Sequence, residues 1–539
     1  MALRDTNIDK LDDGIFDVLI IGGGINGAVS AASLAAKGVS VALIDRDDFS
    51  SDTSSNSSNL AWGGIKYLES FEFLLVRKLC RSRNQLMKEY PSTVKEIRFL
   101  TTIQKGFRFP PILIFMGTIL YWIIGLFGTR GPRYLSKKQI RRAESVINTD
   151  HAAGGFEYSD CYLHDNDARF VFNFIRSGMN YGCIAANYVE SLGSKRDEGV
   201  WVTQVRDQIS GREFEISSRA IVNACGPYAD EYNRRSEQAT DYHHVFSKGI
   251  HLMVDQVTPN ERVLTFFASD GRLFFVIPMG PKTCLGTTDI QVEGPAVAVT
   301  DEDRHFVLDN VSAMLRLDKP LGLEDIIAER CGVRPLATRE EDGVADWVQL
   351  SRRHKIEANV EENYLSIFGG KLTDCLNVGD EVADIIEDFG IDVPNPKRKW
   401  YGEPTARLRD EFMYQAQLSK LDALTPSTST EPLSERLWRR YGDKAIDMLE
   451  AIREDPAQAE LLIGGTEYIR CEIVEAAHTE MIVKLEDFLR RRSKISLVVR
   501  HQDIASSPGL REACQILFGD KAELRLQEFL TENLDQGQT

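Results

Sequence analysis

The chain has 539 residues, more than one hydrophobic core ordinarily serves, so two or three domains are expected. A net charge of −17 disfavours nucleic acid as a partner. Nine scattered cysteines with no Cys-x-x-Cys, and nine histidines with no His-x-x-x-His, suit reduced thiols and offer no metal-ligand spacing.

The opening segment, MALRDTNIDKLDDG, is polar and acidic and lacks a signal-peptide pattern. From Phe16 the sequence FDVLIIGGGINGAVSAASLAAKGVSVALID reads as strand, glycine turn, Ala-rich helix and second strand. In its Gly22-x-Gly24-x-x-Gly27 turn, Gly22 makes the bend and Gly24 admits a pyrophosphate to the backbone N–H groups. Gly27 lets helix and strand pack closely. Phosphates placed there meet the unpaired N–H groups of a helix N-terminus. Asp45 ends the second strand, 18 residues past Gly27, where it can accept hydrogen bonds from a ribose 2′-OH. An acid at this position argues against a 2′-phosphate and leaves NAD and FAD both open.

Next comes a Ser/Asn/Gly-rich loop, Phe49 to Tyr67, whose small residues allow backbone to pass along a flat cofactor ring. Phe109 to Gly128 is then twenty residues without a charge. Its two prolines, its glycines and its position inside one nucleotide-binding domain argue against a membrane span. From Arg77 to Arg142, however, there are fifteen Lys/Arg against two Asp/Glu. Basic flanks around an apolar segment bearing Tyr121 and Trp122 predict peripheral or monotopic attachment to an anionic leaflet.

Residues 165 to 365 alternate strands and helices, with WVTQV, EFEIS, RLFFVIP and YLSIF as strands of a mixed or antiparallel sheet. Ile221 to Pro227 reads as a strand returning to the first domain, and FGGKLT, Phe368 to Thr373, as a glycine turn opening a helix. Linker-like stretches near 392–396 and 425–430 precede helical periodicity over Leu433–Tyr441, Ala445–Arg453 and Cys471–Arg492. Arg490, Arg491 and Arg492 read as a solvated helix end.

The blocks DTSSNSSNLAWGGIKYLE, GFEYSDC, DAR, VNACGP, SKGIH, RLFFVIPMG, GTTD, GVRPL and FGGKLT keep one order across residues 16 to 380. In this the chain resembles the membrane-associated FAD-dependent glycerol-3-phosphate dehydrogenases. The resemblance implies an α/β fold over residues 1–395, a Rossmann-type FAD-binding domain interleaved with a mixed-sheet substrate domain. Residues 77–142 are then its membrane-contact region, and 396–539 an all-α C-terminal domain. It also implies FAD as the cofactor, held by Gly22, Gly24, Asn26, Gly27 and Asp45 and by Thr53, Ser54, Ser55, Ser58, Gly63 and Gly64. Gly226, Gly370, Lys371, Leu372 and Thr373 would close the same pocket. Lys66, Tyr67, Arg272 and Arg334 would bind an anionic alcohol, and Arg334, Lys371 and His251 would take part in its oxidation. A bidentate guanidinium suits a phosphate, which makes Arg334 the main anchor. Hydride would pass to flavin N5 and electrons to quinone, on the cytoplasmic side of the inner membrane, with a homodimer as one open assembly. Oxygen as acceptor, a different hydroxy or amino substrate, and a flavin-bearing scaffold are the alternatives.

The chain departs from the family pattern at Asn59, Trp62 and Lys66, where Lys, His and Arg are usual, and at Asp374-Cys375-Leu376, where Thr-Tyr-Arg is usual. These departures predict a less cationic substrate pocket.

Overall fold

The computed structural model describes residues 3–268, 271–339 and 353–532. The apolar runs Ile15–Ile21 and Val41–Ile44 are neighbouring parallel strands, buried from Val18 onward, as expected for a sheet covered on both faces. Glu213–Asn223 lies on the other side of Ile15–Ile21, followed by Tyr364–Phe368, while Ile184–Ala186 extends the far edge. EFEIS and the returning segment at Ile221 are thus one strand. No glycine or proline interrupts it, and its first half pairs antiparallel with Val200–Asp207.

Eight of the twelve residues of helix Ile25–Ala36 are Ala, Ser or Gly, and it is buried from Gly27 to Ala36. Short side chains let Asp167–Asn180 and Cys375–Asp388 pack along it closely. A Cβ added at Gly379 would lie 3.0 Å from the Val29 carbonyl oxygen. Each fully buried Leu or Val here stabilises by about 1.5–3 kcal/mol relative to exposure.

The second sheet has ten strands among the described residues. Tyr242–Asp255 pairs antiparallel with Ala328–Arg339 along its whole length, and Val94–Gln104 with Ala152–Leu163. The pairing of Arg262–Phe267 with Val94–Gln104 is parallel, so the sheet is mixed. Leu60–Ala61 of the Ser/Asn/Gly-rich loop forms its edge against Cys161–Tyr162, which makes the loop the bridge between the two sheets.

Pro110 and Pro111 open a helix, Pro111–Ile124, that stops at Gly125; Leu126 and Phe127 follow in left-handed conformation. Fourteen residues rise only ~21 Å, less than a bilayer core. No helix among the described residues is long and apolar enough to cross a membrane. Only Thr118 and Tyr121 of this helix are buried. Ile112, Leu113, Met116, Leu120 and Ile123 face outward, beside exposed Phe109, Leu126 and Phe127.

From Ala406 onward every named element among the described residues is helical. Two sequence expectations fail here. Cys471–Arg492 is not one helix: Arg470–Thr479 ends, Met481 turns left-handed, and Asp487–Arg492 forms a wide π turn. Asp487 nucleates that turn by accepting the N–H groups of Val483 and Lys484 at 2.9 and 2.8 Å. Arg490–Arg492 is not a solvated helix end either. Arg492 is fully buried and donates to both oxygens of Asp48 at 2.9 and 2.8 Å; Arg491 donates to Asp48 at 2.6 Å and to Asp487. Arg490 reaches the Glu329 carbonyl. The missed signal was Asp48, an acid buried just past the second strand.

Burial alone would raise the Asp48 carboxyl, but Arg492 and Arg491 together hold it below the ordinary carboxylate value of 3.8. Its contribution to stability is therefore complete above that value and is lost as pH falls through the depressed folded one. Replacing Arg492 with Leu leaves a buried carboxylate half compensated. We expect a loss of about 3–5 kcal/mol in urea denaturation at pH 7; a loss below 1 kcal/mol would show that Arg491 suffices.

Candidate active site

The glycine turn is held by contacts that admit no side chain. At Gly22, φ is +103° and a Cβ would meet the Ala224 carbonyl oxygen at 2.5 Å; at Gly27 a Cβ would meet the Gly22 oxygen at 1.8 Å. Gly24 differs: only the Ser54 hydroxyl, at 3.2 Å, lies within 4 Å of its would-be Cβ, which leaves the backbone approachable. Asp45 accepts the Gly23 N–H at 2.6 Å and the Asp47 N–H at 3.0 Å. Burial nevertheless pushes its carboxyl up to about 7, against those two bonds and with Asp47 and Asp48 adding repulsion.

One cleft joins these groups. Gly22, Gly24 and Asn26 line it on one side, Asp45, Thr53 and Ser54 along the loop, and Gly226 and Gly370 on the returning segments. A glycine cradle at a helix N-terminus with a carboxylate at its far end fits the pyrophosphate and ribose of an adenine dinucleotide. Sequence reasoning missed Arg46, whose guanidinium lies 3.8 Å over the Tyr228 ring at the cleft wall. Its only signal was adjacency to Asp45.

The other expected cofactor residues act on the frame of the cleft. Gly27 packs helix on strand, and Ser55 Oγ donates to the Asp52 carbonyl. Gly63 N–H donates to Asp160, and Gly64 is left-handed at φ +79°. Thr373 is buried, with its hydroxyl donating to the Trp62 carbonyl at 3.4 Å. Lys371 precedes the short 3-10 turn Leu372–Asp374 that leads into Cys375–Asp388. Ser58 and Leu372 are half-buried.

The second sheet supplies the cations. Arg334 lies across Gly249, where any Cβ would strike its guanidinium. Its Nη2 donates to Thr287 Oγ1 at 3.0 Å, and its Nη1 lies 3.3 Å from the Thr288 carbonyl and 3.4 Å from Asp289. Arg272 donates to the Asp289 carbonyl. Thr287 to Asp289 lie in the GTTD block, quoted for its resemblance but given no role from sequence. His251 is buried among Gly286 and the two arginines 330 and 334, and neither ring nitrogen has a hydrogen-bond partner among the described residues. Burial first, then Arg330 and Arg334, push it well below 6.5, so the imidazole is neutral at physiological pH. Lys371 places Nζ 4.2 Å over the ring of Tyr67, whose sequence neighbour Lys66 is half-buried. A Cβ at Gly369, two residues before Lys371, would lie 3.3 Å from the carbonyl oxygen of Pro335, the neighbour of Arg334, so the two segments that carry these cations pass close to one another.

A profile of FAD dependent oxidoreductases matches residues 17–371, and one of the C-terminal domain of alpha-glycerophosphate oxidase matches 401–518. A Pseudomonas aeruginosa glycerol-3-phosphate dehydrogenase is 30% identical over 501 residues, covering 90% of this chain and 92% of its own. The chain belongs to the FAD-dependent glycerol-3-phosphate dehydrogenase family. A Bacillus subtilis aerobic glycerol-3-phosphate dehydrogenase is 28% identical over 510 residues, covering 91% and 89%. In fold, the chain is similar to the glycerol-3-phosphate dehydrogenase from Bacillus halodurans solved with FAD. There the TM-score is 0.74 at 23% identity, over 98% of this chain and 97% of that one.

FAD is the family's cofactor, and the cradle built by Gly22, Gly24 and Asp45 fits it. Of the departures from the family pattern, Asn59, Asp374, Cys375 and Leu376 are buried, while Trp62 and Lys66 are half-buried. Asn59 is left-handed and buried, donates to the Asp165 carbonyl at 2.7 Å and accepts from Arg330 at 2.7 Å. Trp62 donates to Tyr158 Oη at 3.3 Å and stacks edge-on against Phe275. Asp374 is ion-paired with His354 at 2.8 Å and Lys78 at 3.2 Å. Burial, which would raise it, is outweighed by these two, and its carboxyl falls to about 2. Cys375 and Leu376 are core residues.

Asp45 has a consequence for cofactor binding. Ribose hydroxyls favour its carboxylate, so FAD affinity should rise between pH 6 and 8 and level off above. Flavin-fluorescence titration of the apoprotein should show several-fold tighter binding at pH 8 than at pH 6, and Asp45→Asn should flatten the profile. A flat profile for the unmodified protein would mean Asp45 does not bear on the ribose.

Proposed function

We propose that this protein oxidises the C2 hydroxyl of glycerol 3-phosphate to give dihydroxyacetone phosphate and passes the electrons to quinone at a membrane surface. Arg334 carries the reading: a half-buried guanidinium held by Thr287 and Asp289, on a strand whose next residue, Pro335, is passed by the glycine turn that leads to Lys371. Arg334 binds the phosphate, with Arg272 and Lys66 adding positive charge. Lys371, positioned over Tyr67, orients the reacting oxygen. His251, neutral and without a hydrogen-bond partner among the described residues, takes the hydroxyl proton. Bound FAD supplies the hydride acceptor.

Anaerobic mixing with glycerol 3-phosphate should bleach the flavin absorbance rapidly, and glycerol should not. Arg334→Ala should lower kcat/KM at least ~100-fold with flavin still bound, the scale for removing one partner of a desolvated charge pair. Bleaching by an amine or another alcohol but not by glycerol 3-phosphate would transfer the mechanism to a different substrate.

The membrane part of the reading rests on the outward face of helix Pro111–Ile124, with Phe71 and Leu74 also exposed. This face meets the conditions for insertion into the interfacial region of an anionic leaflet. The triple variant Leu113→Glu, Met116→Glu, Leu120→Glu should no longer sediment with anionic vesicles while keeping its activity with a soluble dye acceptor. Unchanged sedimentation would refute the attachment.

A further inference from the structure

A second cavity lies away from the cofactor cleft, lined by Arg98, Arg130, Gly131, Arg133, Glu157 and Arg262. Cross-strand register builds it. Arg133 sits opposite Glu157, Arg98 opposite Ser159, and Arg262 beside Arg98 on the parallel neighbour. Four guanidiniums converge on few carboxylates. Glu157 is buried and takes Arg98 at 3.3 Å, Arg262 at 2.9 Å and Arg133. Glu96 takes Arg130 at 3.1 Å, and Glu144 stands 3.7 Å from Arg262. Arg98 is ordered from below by Ser159 Oγ at 3.0 Å and the Gly131 carbonyl at 3.1 Å. Burial lowers the Arg98 value first; Glu157 offsets part of this, and repulsion from Arg133 and Arg130 lowers it again, so an additional anion would relieve the cluster.

The position gives the cavity a use. Its rim follows directly on the apolar helix: Gly131 packs against the Trp122 indole, and Trp122 Nε1 donates to the Thr129 carbonyl at 2.7 Å. Arg130 and Arg133 are the most exposed of the four, with side chains 66% and 68% accessible.

We propose that Arg98, Arg130, Arg133 and Arg262 form a phosphate-group site at the foot of the exposed apolar helix, distinct from the substrate wall. The group is borne by a phospholipid head or by a free phosphate. The lipid source rests on the membrane reading above; the site itself does not. Planar guanidiniums at several angles around one recess suit a tetrahedral oxyanion, whereas scattered surface lysines would give only diffuse attraction.

The test compares two double variants of the full-length holoenzyme that remove the same charge from the same region. Arg130→Ala/Arg133→Ala empties the rim, and Lys138→Ala/Arg142→Ala spares it. In one arm, vesicles of phosphatidylcholine with and without phosphatidic acid are titrated. In the other, inorganic phosphate is titrated calorimetrically without lipid, and any binding at the substrate wall is common to both variants. The expected result is a loss about tenfold larger for the rim pair than for the control pair in at least one arm, the scale of charge-assisted bonds to a phosphate. A loss confined to phosphatidic acid vesicles assigns the site to a lipid head, and a loss in the phosphate arm assigns it to a free ion. Equal losses for the two pairs in both arms would overturn the proposal. If the unmodified protein ignores vesicles, the membrane reading fails, and the phosphate arm still decides this site.

Discussion

A set of buried charge pairs holds the loop between the two sheets, and the cofactor cleft depends on that loop. Asp167 takes the Ser57 N–H and hydroxyl at 2.9 and 2.7 Å and is paired with Arg330, which donates at 2.6 Å to the Ser57 carbonyl. Asp160 takes Gly63, Arg83 and Tyr121, and Asp48 takes Arg491 and Arg492. Buried ion pairs add little net stability over apolar residues of the same shape. Breaking one strands a charge, which makes the correct arrangement strongly preferred over near alternatives. A loop of Ser, Asn and Gly has few apolar side chains to bury, and charge is what pins it here.

The C-terminal helical domain is part of this arrangement. Asp165 takes Arg439 and Arg440, Arg169 takes Glu480, and Asn166 donates to the Arg490 and Ser493 carbonyls. The segment that opens helix Asp167–Asn180 is thus clamped from the C-terminal side, and the same segment anchors the loop through Asp167. Loss of this docking would be felt at the cofactor cleft although, among the described residues, none of the C-terminal domain lines it. Asp160 similarly couples Gly63 of the loop to Tyr121 on the exposed apolar helix, so the surface face and the site share one buried carboxylate.

The substitutions at Asn59, Trp62 and Asp374 are explained by the same packing. Asn59 looked like a lost cation, Trp62 like a lost base and Asp374 like an added carboxylate, yet each side chain has partners in the interior. A Lys at position 59 would stand beside Arg330 in a buried network, so Asn59 relieves repulsion there. Arg334 and Lys371, the cations proposed to meet the substrate, are retained.

The dinucleotide turn, its helix and Asp45 were determined by the sequence alone. A strand-turn-helix unit is local; Gly22 and Gly27 have steric roles that no other residue fills, and Gly24 leaves the backbone approachable. The apolar helix and its basic flanks were legible for the same reason, since composition within twenty residues carries the signal. Tertiary structure alone decided that Arg490 to Arg492 turn inward and that EFEIS and the returning segment are one strand. It also decided that Arg98, Arg130, Arg133 and Arg262 share one recess. These depend on partners more than a hundred residues distant, or on register between strands, and a single sequence does not say which charged residue meets which.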